Sequence, residues 1–414
     1  MNTVRVNRKG ADRAASGHPW IFSSDVTDRG DSRLGDVKPG DVVRVLGPGE
    51  RPIGVAHFSS TSQITLRLLS NRVEPIDREF FRRRLMQAIA HRERVVENSN
   101  ACRLVFSEGD LLPGLIIDRY GWQVEDLPHC YGWQVADLPH HGYLVVQFLT
   151  QGMDRAREVI VDCLTELLQP AGILARNDAS VRRLEGLPLE STILAGEIPE
   201  RVTIQINGLR LEADLLHGQK TGVYLDQREN YLAAARHARG RVLDCFTSTG
   251  GFALHAAGRA ELVEAVDSSA PALASAEANA RANGISNIRF RQADVFDFLA
   301  GASVNEPRKY SMVILDPPAF AKSRKQLDDA ARGYKEINLR ALRMLDAGGI
   351  LVTCSCSHHV SEAMLLQIVA EAALEAGRTL RILERRTQAA DHPILLTVPE
   401  TLYLKCLILE VLDR

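Results

Sequence analysis

The chain has 414 residues, 45% apolar and 25% charged, with 50 Lys and Arg against 52 Asp and Glu for a formal net charge of −2. These values suit a folded chain of two or three domains and exclude disorder and collagen-like repeats, since 30 Gly and 17 Pro are ordinary at this length. There is no apolar run of about 18 residues that would span a membrane, and residues 1–9 hold no apolar signal-peptide core, so a cytoplasmic chain is expected. The seven cysteines, an odd number without a C-x-x-C pair, suggest neither a disulfide framework nor a zinc ribbon, and no metal cofactor is expected.

The near-zero net charge speaks against a nucleic-acid partner until it is divided. Residues 1–95 carry 17 Lys and Arg against 11 Asp and Glu, and the remainder carries 33 against 41, so a front quarter of +6 is joined to a body of −8. Within residues 1–75, short apolar runs such as 42–46 and 64–68 are broken by Lys38-Pro39-Gly40 and Gly47-Pro48-Gly49, which predicts an all-β barrel. The stretches Gly17-His18-Pro19-Trp20-Ile21-Phe22 and Val37-Lys38-Pro39-Gly40-Asp41-Val42-Val43 resemble the PUA domain, a compact RNA-binding barrel. Residues 76–98 form a linker, with a basic helix from about Asp77 to Glu97 that carries Arg82, Arg83, Arg84, Arg92 and Arg94. A solvated face accounts for it as readily as an RNA-facing role.

Residues 99–200 predict a small α+β domain: strands at 115–117 and 143–149, an amphipathic helix from Met153 to Leu168, and a strand at 172–175. Inside it, residues 120–130 recur as 131–141 with nine of eleven positions matching. One tandem copy is too short for a solenoid, so it reads as a duplication lengthening a surface hairpin. His129, Cys130, His140 and His141 cluster there without a fixed metal-ligating geometry.

From residue 201 to 414 strands and helices alternate, which predicts an α/β fold with a doubly wound, Rossmann-like sheet. A buried strand at 241–246 carries Asp244 and Phe246 and runs into Thr247-Ser248-Thr249-Gly250-Gly251-Phe252, with a helix from Ala253. A glycine turn there lets backbone approach a nucleotide-like cofactor, which makes Phe246, Thr249, Gly250 and Gly251 candidate contacts. The next strand ends at Asp267, 23 residues beyond Asp244, a spacing suited to a ribose diol. A third strand leads to Asp294, placed to meet an adenine amino group. NAD and S-adenosylmethionine both suit such acids, but the turn lacks the G-x-G-x-x-G that would bring a pyrophosphate to a helix N-terminus. S-adenosylmethionine, which carries no phosphate, is favoured, and a dehydrogenase is the least favoured activity.

The fourth strand runs into Asp316-Pro317-Pro318-Ala319-Phe320. An acid followed by two prolines makes a rigid tip that offers a carboxylate and carbonyls to a planar base, with an aromatic ring to stack on it. Such a tip suits a flipped nucleobase, which makes Asp316, Pro317, Pro318 and Phe320 substrate contacts. The fifth strand leads into Cys354-Ser355-Cys356-Ser357-His358-His359. Small buried cysteines are common, but the C-terminal edge of such a sheet is where active sites lie, so a nucleophilic thiol is expected.

Together these residues resemble the large-subunit ribosomal RNA cytosine-5 methyltransferase I family, a PUA barrel joined through a small α+β domain to a class I methyltransferase domain. The resemblance rests on Gly109-Asp110-Leu111-Leu112-Pro113-Gly114-Leu115, the run from His217 to Arg228, the glycine turn, the Asp316 tip and Ser355-Cys356-Ser357. It spans nearly the whole chain apart from residues 120–141, and Ser248 departs from it by standing where an aromatic residue is expected. The resemblance implies that Tyr224, Asp226 and Gln227 lie against S-adenosylmethionine, that Cys356 rather than Cys354 adds to cytosine C6, and that Asp316 hydrogen-bonds the cytosine ring. The implied substrate is 23S ribosomal RNA, with no membrane partner; oligomeric state stays open, a homodimer among the alternatives. An N2-guanine methyltransferase and a non-catalytic RNA-binding protein with a degenerate methyltransferase fold are the competing functions, and the thiol and the four strand-end acids weigh against them in turn.

Overall fold

The computed structural model describes residues 1–27, 36–122, 142–218, 221–305, 310–321 and 324–412. The chain divides into two units: Met1–Gln205, Ala213–Val223 and Ala390–Thr401 form the first, and Ile206–Glu212, Tyr224–Ala389 and Leu402–Arg414 the second. No described helix is long and apolar enough to cross a membrane.

The first unit begins with β1 (Asn2–Arg5), α1 (Arg8–Ala15), β2 (Trp20–Phe22), β3 (Val42–Leu46), β4 (Pro52–Phe58) and β5 (Ile64–Ser70). These strands form one sheet in the order β1-β3-β4-β5-β2, parallel only between β1 and β3. Val4, Ile21, Val43, Val45, Ala56 and Leu66 make its core. The all-β expectation is corrected by α1, a two-turn helix that starts where Asn7 accepts the Gly10 N–H at 2.9 Å.

The linker helix is α2 (Arg78–Val95), capped by Asp77, which accepts the Phe80 N–H at 3.1 Å. Phe80, Phe81, Leu85 and Ala88 bury its apolar face. Several of its arginines are paired with acids, Arg92 in the interior and the others at the surface. Arg78 and Arg82 pair with Glu166, Arg83 with Glu74 at 2.9 Å, and Arg92 with Asp110. Arg92 is 1% exposed and also donates to the Arg103 and Asp391 carbonyls, each at 2.7 Å, so it is a buried structural residue and not an RNA-facing one.

The same unit continues with β6 (Cys102–Phe106), β7 (Leu115–Tyr120), β8 (Tyr143–Phe148), α3 (Gln151–Arg155), α4 (Arg157–Leu168), β9 (Gly172–Asn177) and β10 (Glu190–Gly196), the strands in the order β10-β9-β8-β7-β6. The single helix expected over 153–168 is broken at Ala156 into α3 and α4. Most of the duplicated segment, including its His and Cys cluster, lies outside the described residues. A two-stranded sheet of β11 (Val202–Ile206) and β12 (Leu209–Ala213) follows.

The second unit carries α5 (Arg228–Ala235), β13 (Arg241–Cys245), α6 (Gly251–Ala257), β14 (Leu262–Asp267), α7 (Ala270–Ala282), β15 (Ile288–Gln292), α8 (Val295–Asn305), β16 (Tyr310–Leu315), α9 (Leu327–Met344), β17 (Leu345–Ser355), α10 (Glu362–Glu375), β18 (Thr379–Arg386) and β19 (Lys405–Leu412). Its seven-stranded sheet has the order β15-β14-β13-β16-β17-β19-β18, with β19 antiparallel to both neighbours and the other pairings parallel. The expected doubly wound sheet is therefore present. Both faces are buried, as alternate residues show: Leu243, Val313 and Leu351 enter one core, and Val242, Met312 and Val352 the other. The order reverses at β13, so the C-terminal ends of β13, β14 and β16 surround the switch point where such sheets bind ligands.

Candidate active site

Asp244, one residue before the end of β13, is fully buried. Its Oδ2 accepts the Thr247 hydroxyl at 2.6 Å and the Ala253 N–H at 3.0 Å, while Oδ1 has no hydrogen-bond partner. Burial, aided by the charges of Asp316 and Asp267, pushes this carboxyl up to about 7. The turn after it is strained, since Phe246 at φ 62° and Ser248 at φ 49° both adopt left-handed backbone without being glycine. Gly250 at φ 89° suits that region. Gly251 is needed for another reason: a Cβ there would lie 2.3 Å from Cζ of Tyr231. Its small size is thus used by a neighbouring ring, whereas the sequence suggested close approach of a cofactor. Thr249 is half-buried in the same turn, and its carbonyl accepts from Asn279 at 3.1 Å.

At the tip of β14, Asp267 accepts the N–H groups of Ser248 and Ser269, each at 2.9 Å. This ties the turn after β13 to the next strand. Asp294 is exposed, and its Oδ1 accepts the Phe296 and Asp297 N–H groups at 2.8 and 3.1 Å at the start of α8. A helix-capping role is therefore already filled there.

Before α5, Asp226 accepts the Tyr403 hydroxyl at 2.7 Å. Gln227 donates to Asp316 Oδ1 at 3.0 Å, and its own carbonyl oxygen is held by Asn230 at 2.6 Å. Tyr224 is mostly buried. Desolvation, together with the charges of Asp316, Asp226, Cys356 and Asp267, raises its hydroxyl well above the usual tyrosine range. That one side chain senses all four groups shows that the structure brings them together.

Beyond β16, Pro317 is buried and Pro318 exposed. Phe320 is half-buried in an aromatic cluster, its ring centroid 4.7 Å from Tyr334, 5.7 Å from Phe296 and 6.5 Å from Phe246. The two cysteines of the neighbouring strand differ sharply. Cys354 is fully buried in the core opposite Cys406, and burial raises its thiol well above the ordinary range. Cys356 is partly exposed just past β17, its Sγ 4.0 Å from the Pro317 carbonyl oxygen. Behind it, the Tyr334 hydroxyl meets the hydroxyls of Ser355 at 2.9 Å and Ser357 at 3.2 Å, and Ser357 also accepts the Ala321 N–H at 3.4 Å. This buried network binds the strand of Cys356 to the loop of Asp316.

Sequence reasoning missed Tyr334, Asn230, Tyr403 and Lys405. Lys405 carried a legible signal, a lone cation in the apolar run Leu404 to Leu412. Among the described residues no group of three or more His, Cys, Asp or Glu could hold a metal ion. A half-exposed thiol, a carboxylate and a proline tip at adjacent parallel strand ends can together add a nucleophile to a planar ring while holding its polar edge.

A family model described as a PUA-like domain matches residues 4–71, and one described as S-adenosylmethionine-dependent methyltransferase matches residues 157–409. The ribosomal RNA large subunit methyltransferase I of Tolumonas auensis is 40% identical over 404 residues, covering 95% of this chain and 96% of that protein. The protein of the same name from Vibrio cholerae is 39% identical over 398 residues, covering 94% of each. Two solved structures share the fold at 20% identity, each covering 99% of this chain and all of its own. One, a methyltransferase complexed with SAH, has a TM-score of 0.81, and the other, a SAM-dependent methyltransferase from Streptococcus mutans, has 0.79.

Proposed function

The chain belongs to the ribosomal RNA large subunit methyltransferase I family, which uses S-adenosylmethionine, and on that premise we propose that it methylates C5 of a cytosine in 23S ribosomal RNA through a covalent adduct at Cys356. The observation that carries this proposal is the Asp316 tip beside the half-exposed Cys356, with Sγ 4.0 Å from the Pro317 carbonyl oxygen.

Support for the cofactor assignment comes from the chemistry of the donor set. S-adenosylmethionine presents an ammonium, a ribose diol, an adenine amine and a positive sulfonium, and this crevice presents acids, one with a buried oxygen lacking a partner. Tyr224, Asp226, Gln227, Asp244, Phe246, Thr249, Gly250, Gly251, Asp267 and Asp294 would hold it. When bound, the cofactor supplies an electrophilic methyl carbon to C5.

The chain's own residues make C5 receptive. Cytosine C5 is a weak nucleophile, so the Cys356 thiolate first forms a bond to C6, and the displaced electron pair enriches C5. Asp316 accepts the exocyclic amine N–H and shares a proton with N3, which offsets the charge that enters the ring. Gln227 fixes that carboxylate by donating to Oδ1. After methylation, loss of the C5 proton to a base restores the C5–C6 double bond and expels the thiolate. Pro317 and Pro318 stiffen the tip against the base, Phe320 backs it, and the PUA-like domain supplies RNA contact.

Nucleoside mass spectrometry of 23S ribosomal RNA treated with the protein and S-adenosylmethionine is expected to show 5-methylcytosine. Appearance of N2-methylguanosine instead would replace the cytosine assignment with the guanine one. Cys356→Ala is expected to lower product formation roughly a thousandfold or more while Cys354→Ala stays active. The reverse pair of outcomes overturns the nucleophile assignment.

A further inference from the structure

Lys405 opens β19 directly opposite Ser355 of β17 and is 4% exposed. Its ammonium donates to the carbonyl oxygens of Ser357 at 2.7 Å and Tyr403 at 2.8 Å, and it pairs with no carboxylate among the described residues. A buried lysine without a counter-ion is costly to keep charged, so such a residue calls for a nearby anion. Two of the three ammonium donors are spent on carbonyls, and one of those carbonyls belongs to the residue after Cys356.

Other ionisable groups lie around Cys356 as well. Tyr224 and Tyr334 sense its charge, Asp316 lies beside it on the neighbouring loop, and His358 stands two residues on, its ring 5.9 Å from that of Tyr403. Asp316 opposes a second negative charge at this place. We propose that Lys405 is a positioning residue whose ammonium, anchored by the Ser357 and Tyr403 carbonyls, favours the thiolate of Cys356 before RNA binds. Burial lowers Lys405 to about 8 and a Cys356 thiolate opposes that shift, so a charge on either group favours a charge on the other. Its catalytic meaning rests on Cys356 being the nucleophile proposed above; the electrostatic pairing does not.

The test is the rate of Cys356 alkylation by iodoacetamide in the full-length protein without RNA, followed over a pH series by mass spectrometry of the Cys356 peptide. The wild-type midpoint is expected below the ~8.5 of a free thiol. Lys405→Met is expected to raise it by about one unit or more, and Lys405→Arg to restore most of that shift. The pH profile of methylation should move upward in Lys405→Met with KM for S-adenosylmethionine unchanged. A wild-type midpoint at or above that of a free thiol overturns the proposal, as does an unchanged midpoint in Lys405→Met. Should that variant fail to fold, the wild-type midpoint alone decides. A shifted midpoint with an active Cys356→Ala would retain the pairing and reject the covalent function; an unshifted midpoint with an inactive Cys356→Ala would do the opposite.

Discussion

Asp244 shows at a single residue how the fold changes the chemistry of an acid. Its carboxyl titrates at about 7 in the folded chain, against 3.8 unperturbed, because burial penalises its charge. The folded chain therefore keeps a proton that the unfolded chain loses as pH rises, and the stability this provides is complete below about 4 and gone above about 7. Asp244→Asn keeps the shape and cannot ionise, so in urea denaturation it should gain on the wild type steadily between those values. A difference that does not vary with pH contradicts the shift. The position of this acid was legible because strand, acid and glycine turn are contiguous in the chain. Its unpartnered oxygen was not, since burial depends on what α6 brings over it. The two cysteines make the same point: Cys354 and Cys356 are two residues apart and would share a face of one strand, but β17 ends at Ser355, which leaves Cys354 in the core opposite Cys406 and Cys356 outside the strand beside Pro317.

At the scale of elements, α2 is the clearest case of pattern and packing diverging. Its length and its Asp77 start follow from helical periodicity and capping chemistry. What its arginines do does not, because Glu166, Glu74 and Asp110 reach them from elsewhere in the fold. Removing Arg92 would leave Asp110 without its buried partner, a loss of about 3–5 kcal/mol in comparable pairs. Arg92→Met is thus expected to lower the denaturation midpoint markedly and to leave RNA affinity of the folded protein within a factor of about two. Loss of affinity with unchanged stability would return Arg92 to the RNA surface. The helix α1 escaped notice because two turns carry too little periodicity to stand out. Tyr334 on α9 was hidden for the reason that hides most supporting residues: its hydroxyl meets Ser355 and Ser357 across 21 and 23 residues of chain.

Over the whole molecule, the net charge of −2 conceals a basic front quarter and an acidic body. The structure refines that division, since several of the front-quarter arginines are paired with acids, mostly at the surface, while Asp226, Asp267 and Asp316 of the second unit all act on Tyr224. The doubly wound sheet and its strand-end acids were legible because parallel α/β chains repeat one unit along the sequence. The antiparallel β19, which carries Lys405 back to Ser357 across 48 residues, breaks that repeat and was not. The proposed covalent bond between Cys356 and cytosine C6 can be trapped with ribosomal RNA in which 5-fluorocytosine replaces cytosine. Fluorine at C5 cannot leave as a proton does, so methyl transfer should strand the adduct. The expected result is a denaturation-resistant protein–RNA species whose mass spectrum places the bond on Cys356, present in Cys354→Ala and missing in Cys356→Ala. Turnover of normal RNA with no adduct on the fluorinated one, or an adduct on Cys354, would contradict it.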